Sequence, residues 1–308
     1  MCIRDRPRAV RREAVSRPRA VAADFTRDDC GVGPALLPRG TTAEFWHLAA
    51  RLGLPWHARR ETFAANVGAT RRLLSLARTT GTVAFNHVST VYAAGGTQGP
   101  VAERLVAVAR PRNPYEASTI AAERLVGRQL DFRVRILRPG VVIGHSATLE
   151  HPGRGGGPFA VQRIIADHAR AVRTGPGAAP LRLVARPEAP LNLVPVDHVV
   201  REAVEISRSA EAAGVFHLTN STPPTTGAVL GAFAANAGLD AAFVPRAEEL
   251  SGGDRDLHQL LGAYVPYFTT AQRFRRDRTD AVVADPARAS FPMTHDHLRA
   301  GFRSRAMP

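Results

Sequence analysis

Short apolar runs and amphipathic stretches alternate along most of the chain. Val67, Thr70, Leu73, Leu74 and Ala77 recur at helical spacing and predict a helix over 62–77 with one buried face. Phe132, Val134 and Ile136 alternate with Arg133 and Arg135, the period of a strand, over 131–138. Further strands are predicted over 19–24, 44–50 (running into a loop), 82–89, 191–196, 215–218 and 241–244. Asn113 and Pro114 open another helix, Asn as an N-cap and Pro in the first turn, with Thr119, Ala122, Leu125 and Val126 on its inner face. Helices are also expected near 158–173, over 197–207 with Asp197 as the cap, and over 225–237. From 250 onward the pattern is mostly helical.

Such β-α alternation predicts an α/β fold built on a doubly wound, mostly parallel sheet, whose ligands sit at the carboxyl ends of the strands. Residues 1–18 carry Arg at short intervals without apolar periodicity, and read as a non-native or disordered leader. Residues 19–220 then read as the sheet domain, with a Gly- and Pro-rich insertion at about 145–180, and 221–308 as a smaller, mostly helical substrate-binding region.

Composition narrows the function classes. No apolar run approaches the ~20 residues that span a bilayer, so no membrane span is expected. Cys2 and Cys30 are the only cysteines, too few for a disulfide framework or a Cys-based zinc site, and in keeping with a cytoplasmic protein. The net charge is +14 and every basic residue is Arg. The charges are dispersed apart from 4–19 and 273–278, and no basic stripe interleaves with stacking aromatics, which argues against a nucleic-acid partner. His295-Asp-His297 lacks a third ligand within reach, so no metal site is expected. His87 and His217 fall on predicted strands and read as core residues.

The chemistry concentrates where predicted strands end: His47-Leu-Ala-Ala50, His87-Val-Ser-Thr90 and Leu137-Arg-Pro-Gly-Val-Val-Ile-Gly144, with Asn113-Pro-Tyr115 between the last two. In this order the chain resembles the extended short-chain dehydrogenase/reductases, a Rossmann-like superfamily, and within it the thioester-reductase and fatty-acyl-reductase branch. Asp24 matches the family's "GD" strand end, followed here by Phe25. His47, Ala49 and Ala50 match its "HxAA" loop. Asn66-Val-Gly-Ala-Thr70 matches "NVxGT", and Val88-Ser-Thr90 matches "VST". Arg138-Pro139-Gly140-Val141 with Gly144 matches "RPGxxxG", Leu191 to Asp197 resembles "LNLVPVD", and Val215 to Asn220 resembles "xFHLTN".

The resemblance implies NADP, or NAD, as cofactor, held by Asp24, Phe25, His47, Ala49, Ala50, Asn66, Tyr115, Pro139, Gly140 and Val141. It implies reduction of an acyl thioester or aldehyde, on a small or carrier-tethered acyl substrate. Tyr115 would be the proton donor, with the hydroxyl of Thr90, aided by Ser89, on the same oxygen. Two departures stand against full activity. The family's Lys, one helical turn after the Tyr, is here Thr119, and the chain has no Lys at all. The Gly-rich turn that grips the pyrophosphate is also missing: Gly31-Val-Gly33 runs into Pro34, and Gly153-Arg-Gly-Gly-Gly157 lacks a following Lys-Ser/Thr. An N-terminally truncated chain with weakened or absent catalysis is therefore expected. The rival readings are a sugar-nucleotide epimerase or dehydratase of the same superfamily and a non-catalytic binding protein that keeps the fold.

Overall fold

The computed structural model describes residues 20–32, 43–107, 110–150, 156–172 and 179–302. The leader expected at 1–18 lies outside them, as does most of the Gly-rich run at 153–157. Among the described residues the strands run in chain order as β1 (Ala43–His47), β2 (Thr82–Val88), β3 (Gly99–Val101), β4 (Arg133–Pro139), β5 (Val141–Ile143), β6 (Leu181–Val184), β7 (Leu193–Pro195), β8 (Gly214–Leu218), β9 (Ala241–Val244) and β10 (Gln272–Phe274). The helices are α1 (Arg59–Phe63), α2 (Ala69–Thr79), α3 (Pro114–Val126), α4 (Pro158–Val172), α5 (Val196–Arg208), α6 (Thr226–Asn236), α7 (Gly252–Leu260), α8 (Val265–Phe268), α9 (Asp277–Asp280) and α10 (His295–Phe302).

The central sheet has the order β1-β2-β4-β8, parallel throughout. Register places His47 beside His87 and Arg138 beside His217. Successive residues face opposite sides of a strand, so each strand must bury both faces. One face, with Phe85, Ile136 and Val215, packs on Leu73, Leu74 and Leu76 of α2 and Val126 of α3. The other, with Leu137, Phe216 and Leu218, packs on Ala203 and Ile206 of α5. A separate apolar core joins Ile143, Val161, Ile165, Leu181 and Leu193 to Leu230, Phe233, Leu257 and Phe302. It brings the 141–193 segment together with the C-terminal helices around two small parallel pairs, β5–β7 and β6–β9.

The helix expected over 62–77 runs from α1 into α2 through a single π-turn, Ala64–Gly68. π-turns of this kind recur at functional sites, and this one carries Asn66. Two expectations fail. Residues 20–24 form no strand; Asp24 lies exposed in a turn, where its carboxylate accepts hydrogen bonds from the Thr26 amide (2.9 Å) and hydroxyl (2.6 Å). An Asp that bonds its own backbone two residues on favours a turn over a ladder. Asp197 does not cap α5: Pro195 is the N-cap, and the Asp197 carboxylate instead accepts from the Ser146 amide (2.8 Å) and hydroxyl (2.6 Å).

Three buried arginines tie loops to the sheet. Arg138 pairs with Glu123 of α3 at 2.5 Å, both essentially inaccessible. Arg135 donates to the carbonyls of Ala212 and Ser209 and to Glu44. Arg276 pairs with Glu202 at 2.8 Å and donates to the carbonyls of His217 and Thr219. A buried charge is tolerated when it is closely paired, and removing one partner is costly; of the Arg138 nitrogens only Nη1 has no partner among the described residues. These pairs fix the ends of β4 and β8, where the site lies.

Candidate active site

Three segments meet at the carboxyl edge of the sheet. After β2 the chain turns at Thr90, which N-caps a short 3₁₀ turn, Val91–Ala94; its Oγ1 accepts from the Tyr92 amide at 3.3 Å. That bond occupies a lone pair and leaves the Thr90 proton free to donate. Asn113 caps α3 by accepting from the Glu116 amide at 3.0 Å, and Pro114 supplies a first turn that needs no N–H. Tyr115 follows, half-buried, in that first turn. Beyond β4, the Gly140 amide donates to the Leu218 carbonyl and the Val141 amide to the Asn192 carbonyl. A Cβ at Gly140 would lie 2.5 Å from Asn192 Oδ1 and 2.7 Å from Asn192 O, so this close approach admits only glycine.

Thr90, Tyr115, Gly140 and Val141 border one cavity of about 340 Å³. Apolar side chains from both halves of the chain complete it, among them Leu52, Leu54, Phe159, Val161 and Leu191. No charged side chain lines it among the described residues. Burial pushes the Tyr115 phenol above its ordinary value, and the Glu116 carboxylate pushes it further up. The side chains of Thr90 and Thr119, as hydrogen-bond partners, pull the other way.

The remaining sequence candidates sit elsewhere. The Ser89 hydroxyl donates to Glu123 at 2.6 Å and so belongs to the buried Arg138–Glu123 pair. Thr119 is buried beside the site, and its hydroxyl donates to the Tyr115 carbonyl at 2.8 Å. Asn66 clamps the loop after β1: its amide nitrogen donates to the Arg51 carbonyl and the Ser118 hydroxyl, and its oxygen accepts from the Arg51 amide at 2.7 Å. His47 is buried with Nε2 3.0 Å from Thr70 Oγ1, and desolvation lowers its pKa to about 3. His87 and His217 are also buried, with pKa values lowered to about 4 by desolvation. Asp24, Phe25, Ala49 and Ala50 are exposed and Pro139 is buried at the end of β4; none of them lines the cavity.

Sequence reasoning passed over three tyrosines, Tyr92, Tyr264 and Tyr267. The chain has four tyrosines, and all four border this cavity. Tyr92 stands two residues after Thr90, and that adjacency was the one available signal; Tyr264 and Tyr267 arrive through the tertiary fold. The donor set fits the nicotinamide end of a dinucleotide: a phenol and a hydroxyl face the same space as the backbone at 140–141, at the edge where doubly wound sheets bind ligands. A Gly-rich strand-to-helix turn for the pyrophosphate is not present among the described residues.

Residues 3–203 match the NAD-binding family described as male sterility protein. The fold is shared with solved structures of low sequence identity. The terminal R domain from the myxalamid PKS-NRPS biosynthetic pathway superposes with a TM-score of 0.68 at 22% identity, covering 92% of this chain and 73% of that one. RMD from Pseudomonas aeruginosa, solved with NADPH, gives 0.61 at 20% identity, covering 92% and 87%. UDP-glucuronic acid 4-epimerase from Bacillus cereus, solved with NAD, gives 0.57 at 17% identity, covering 84% and 71%. A search of curated proteins returned no match.

Proposed function

Because the chain belongs to the NAD-binding male sterility protein family, we propose that it acts as a nicotinamide-dependent reductase of the extended short-chain dehydrogenase/reductase type. Its substrate is the carbonyl of an acyl thioester or aldehyde, free or carrier-tethered. The observation that carries this reading is the joint placement of Tyr115 and Thr90 on one cavity whose remaining lining, among the described residues, is uncharged and apolar apart from three further tyrosines. Such a lining accepts an acyl group. Among the described residues it offers no cation for the pyrophosphate of a sugar nucleotide, which disfavours the epimerase reading.

When bound, the dinucleotide supplies hydride to the carbonyl carbon. The chain's own residues handle the oxygen. The Tyr115 phenol donates its proton to that oxygen, and the Thr90 hydroxyl holds the same atom, its own lone pair being engaged by the Tyr92 amide. Burial keeps the phenol protonated, as a proton donor requires. The backbone at 140–141 and the Tyr115 and Thr90 side chains are the groups that would border the nicotinamide. Among the described residues, no helix is long and apolar enough to cross a membrane.

The test is oxidation of NADPH or NADH by the purified chain with medium-chain acyl thioesters and aldehydes. Tyr115→Phe should lower kcat by about 10²–10⁴-fold, the usual contribution of a positioned acid, with little change in KM. Equal turnover by that variant, or none by the natural chain with either cofactor, overturns the reading.

A further inference from the structure

The mechanism uses one of the four phenols that border the cavity, and of the other three Tyr92 stands nearest in the chain to Thr90. Tyr92 lines the same cavity as Thr90 and Tyr115, and among the described residues no hydrogen bond reaches its hydroxyl. Two of the other tyrosines differ from it: Tyr115 meets Thr90 and Thr119, and Tyr267 accepts from Asn113 at 2.7 Å. Tyr92 is half-buried, and burial raises its phenol pKa well above the ordinary value, with the Tyr115 phenol adding to the rise.

Its ring, by contrast, is firmly held. Tyr92 packs against Tyr267 with ring centroids 4.5 Å apart. The Arg112 guanidinium lies 4.3 Å from the Tyr267 centroid and 5.5 Å from that of Tyr92. Arg112 is itself fixed by the fully buried Glu116 at 2.7 Å, by the Pro266 carbonyl and by Thr270 Oγ1. This stack joins the turn after β2, the start of α3 and α8. The ring is therefore preorganised while its hydroxyl is left open to whatever fills the cavity.

A ligand that displaces water from this hydroxyl without offering it a partner loses free energy, so a site of this kind favours the ligand that satisfies it over the one that does not. We propose that Tyr92 is a specificity-determining residue, whose phenol hydrogen-bonds an oxygen substituent on the acyl chain a few bonds beyond the reacting carbonyl. The proposal rests on the reading of this cavity as the acyl site, and it narrows the substrate class from any acyl group to an oxygenated one.

Unreactive amides test it without turnover. Hexanamide and β-hydroxyhexanamide are titrated into the cofactor-free chain by calorimetry. The natural chain should bind the hydroxylated amide about five- to tenfold more tightly, the range of one neutral hydrogen bond. Tyr92→Phe keeps the ring stack and should abolish the preference, with an unchanged thermal midpoint showing that the fold is kept. Tyr115→Phe should shift both affinities together and preserve their ratio. If both amides bind with equal affinity, or the preference survives in Tyr92→Phe, the assignment of Tyr92 is overturned while the acyl site stands. If neither amide binds, the acyl site itself falls, and the assignment with it.

Discussion

At the scale of single residues, the site turns on the charge around one phenol. Burial and the neighbouring Glu116 carboxylate both hold the Tyr115 pKa above its ordinary value, and Thr119 brings no charge to oppose them. A cation one helical turn later would stabilise the phenolate and lower that pKa. Thr119→Lys should therefore raise kcat at neutral pH by about tenfold, within the range that matched acids contribute. The sign of the pH effect follows from the proton donor's role. Reduction needs the protonated phenol, so a lower pKa brings the fall in rate at alkaline pH to a lower pH. A pH–rate profile of both forms checks this, and a natural chain that matches the Thr119→Lys variant in rate and profile would show that the charge is dispensable.

At the scale of elements, α3 is the part most exposed to a single change. Its N-cap works in two directions: Asn113 Oδ1 accepts from the Glu116 amide, and Asn113 Nδ2 donates to the Tyr267 hydroxyl. One residue thus sets the helix start that presents Tyr115 and anchors α8 across the cavity. Asn113→Ala should cost about 1–2 kcal/mol, the upper range for a lost cap, because the half-buried Tyr267 contact goes with it. Asn113→Asp keeps the cap and loses the donor to Tyr267, so it should fall between the two. Urea unfolding of the three forms orders them, and an Asp variant as unstable as the Ala variant would count against the capping contribution.

At the scale of the whole molecule, neutral histidines lie within a basic protein. Desolvation holds His47 at about 3, and His87 and His217 at about 4. No hydrogen-bond partner reaches either ring nitrogen of His87 among the described residues. An unfolded chain protonates its histidines near pH 6.5, whereas the folded chain resists until about pH 4 or 3. The unfolded state therefore binds more protons across that window, and stability must fall as pH drops through it. The effect should amount to several kcal/mol between about pH 6.5 and 4. Thermal midpoints measured across this range should fall steadily, and His87→Leu should flatten the slope. A variant with the natural slope would mean that His87 carries a proton, or a water, in the folded state.

Local pattern and folded geometry contributed different things. The strands of the central sheet and the helices packed on it were legible because each buries a face, and burial on a regular backbone leaves a period in the sequence. Asn113-Pro114 marked the start of α3 for a similar reason, since caps are local chemistry. β3 and β10 were not legible: each has three residues, β3 contains Gly and Pro, and they exist only because distant segments pair. The strand expected at 19–24 failed because a turn formed by Asp24 and Thr26 competes locally with any ladder.

The same division holds at the site. Residue order alone marked Thr90, Tyr115, Gly140 and Val141, since each stands at or just beyond a strand end or a helix start. Folding alone decided that Ser89 would turn away to Glu123 and that Asn66 would clamp a loop, because those outcomes depend on partners remote in the chain. The convergence of all four tyrosines on one cavity is likewise a property of packing, as two of them come from the C-terminal region that closes over the sheet edge.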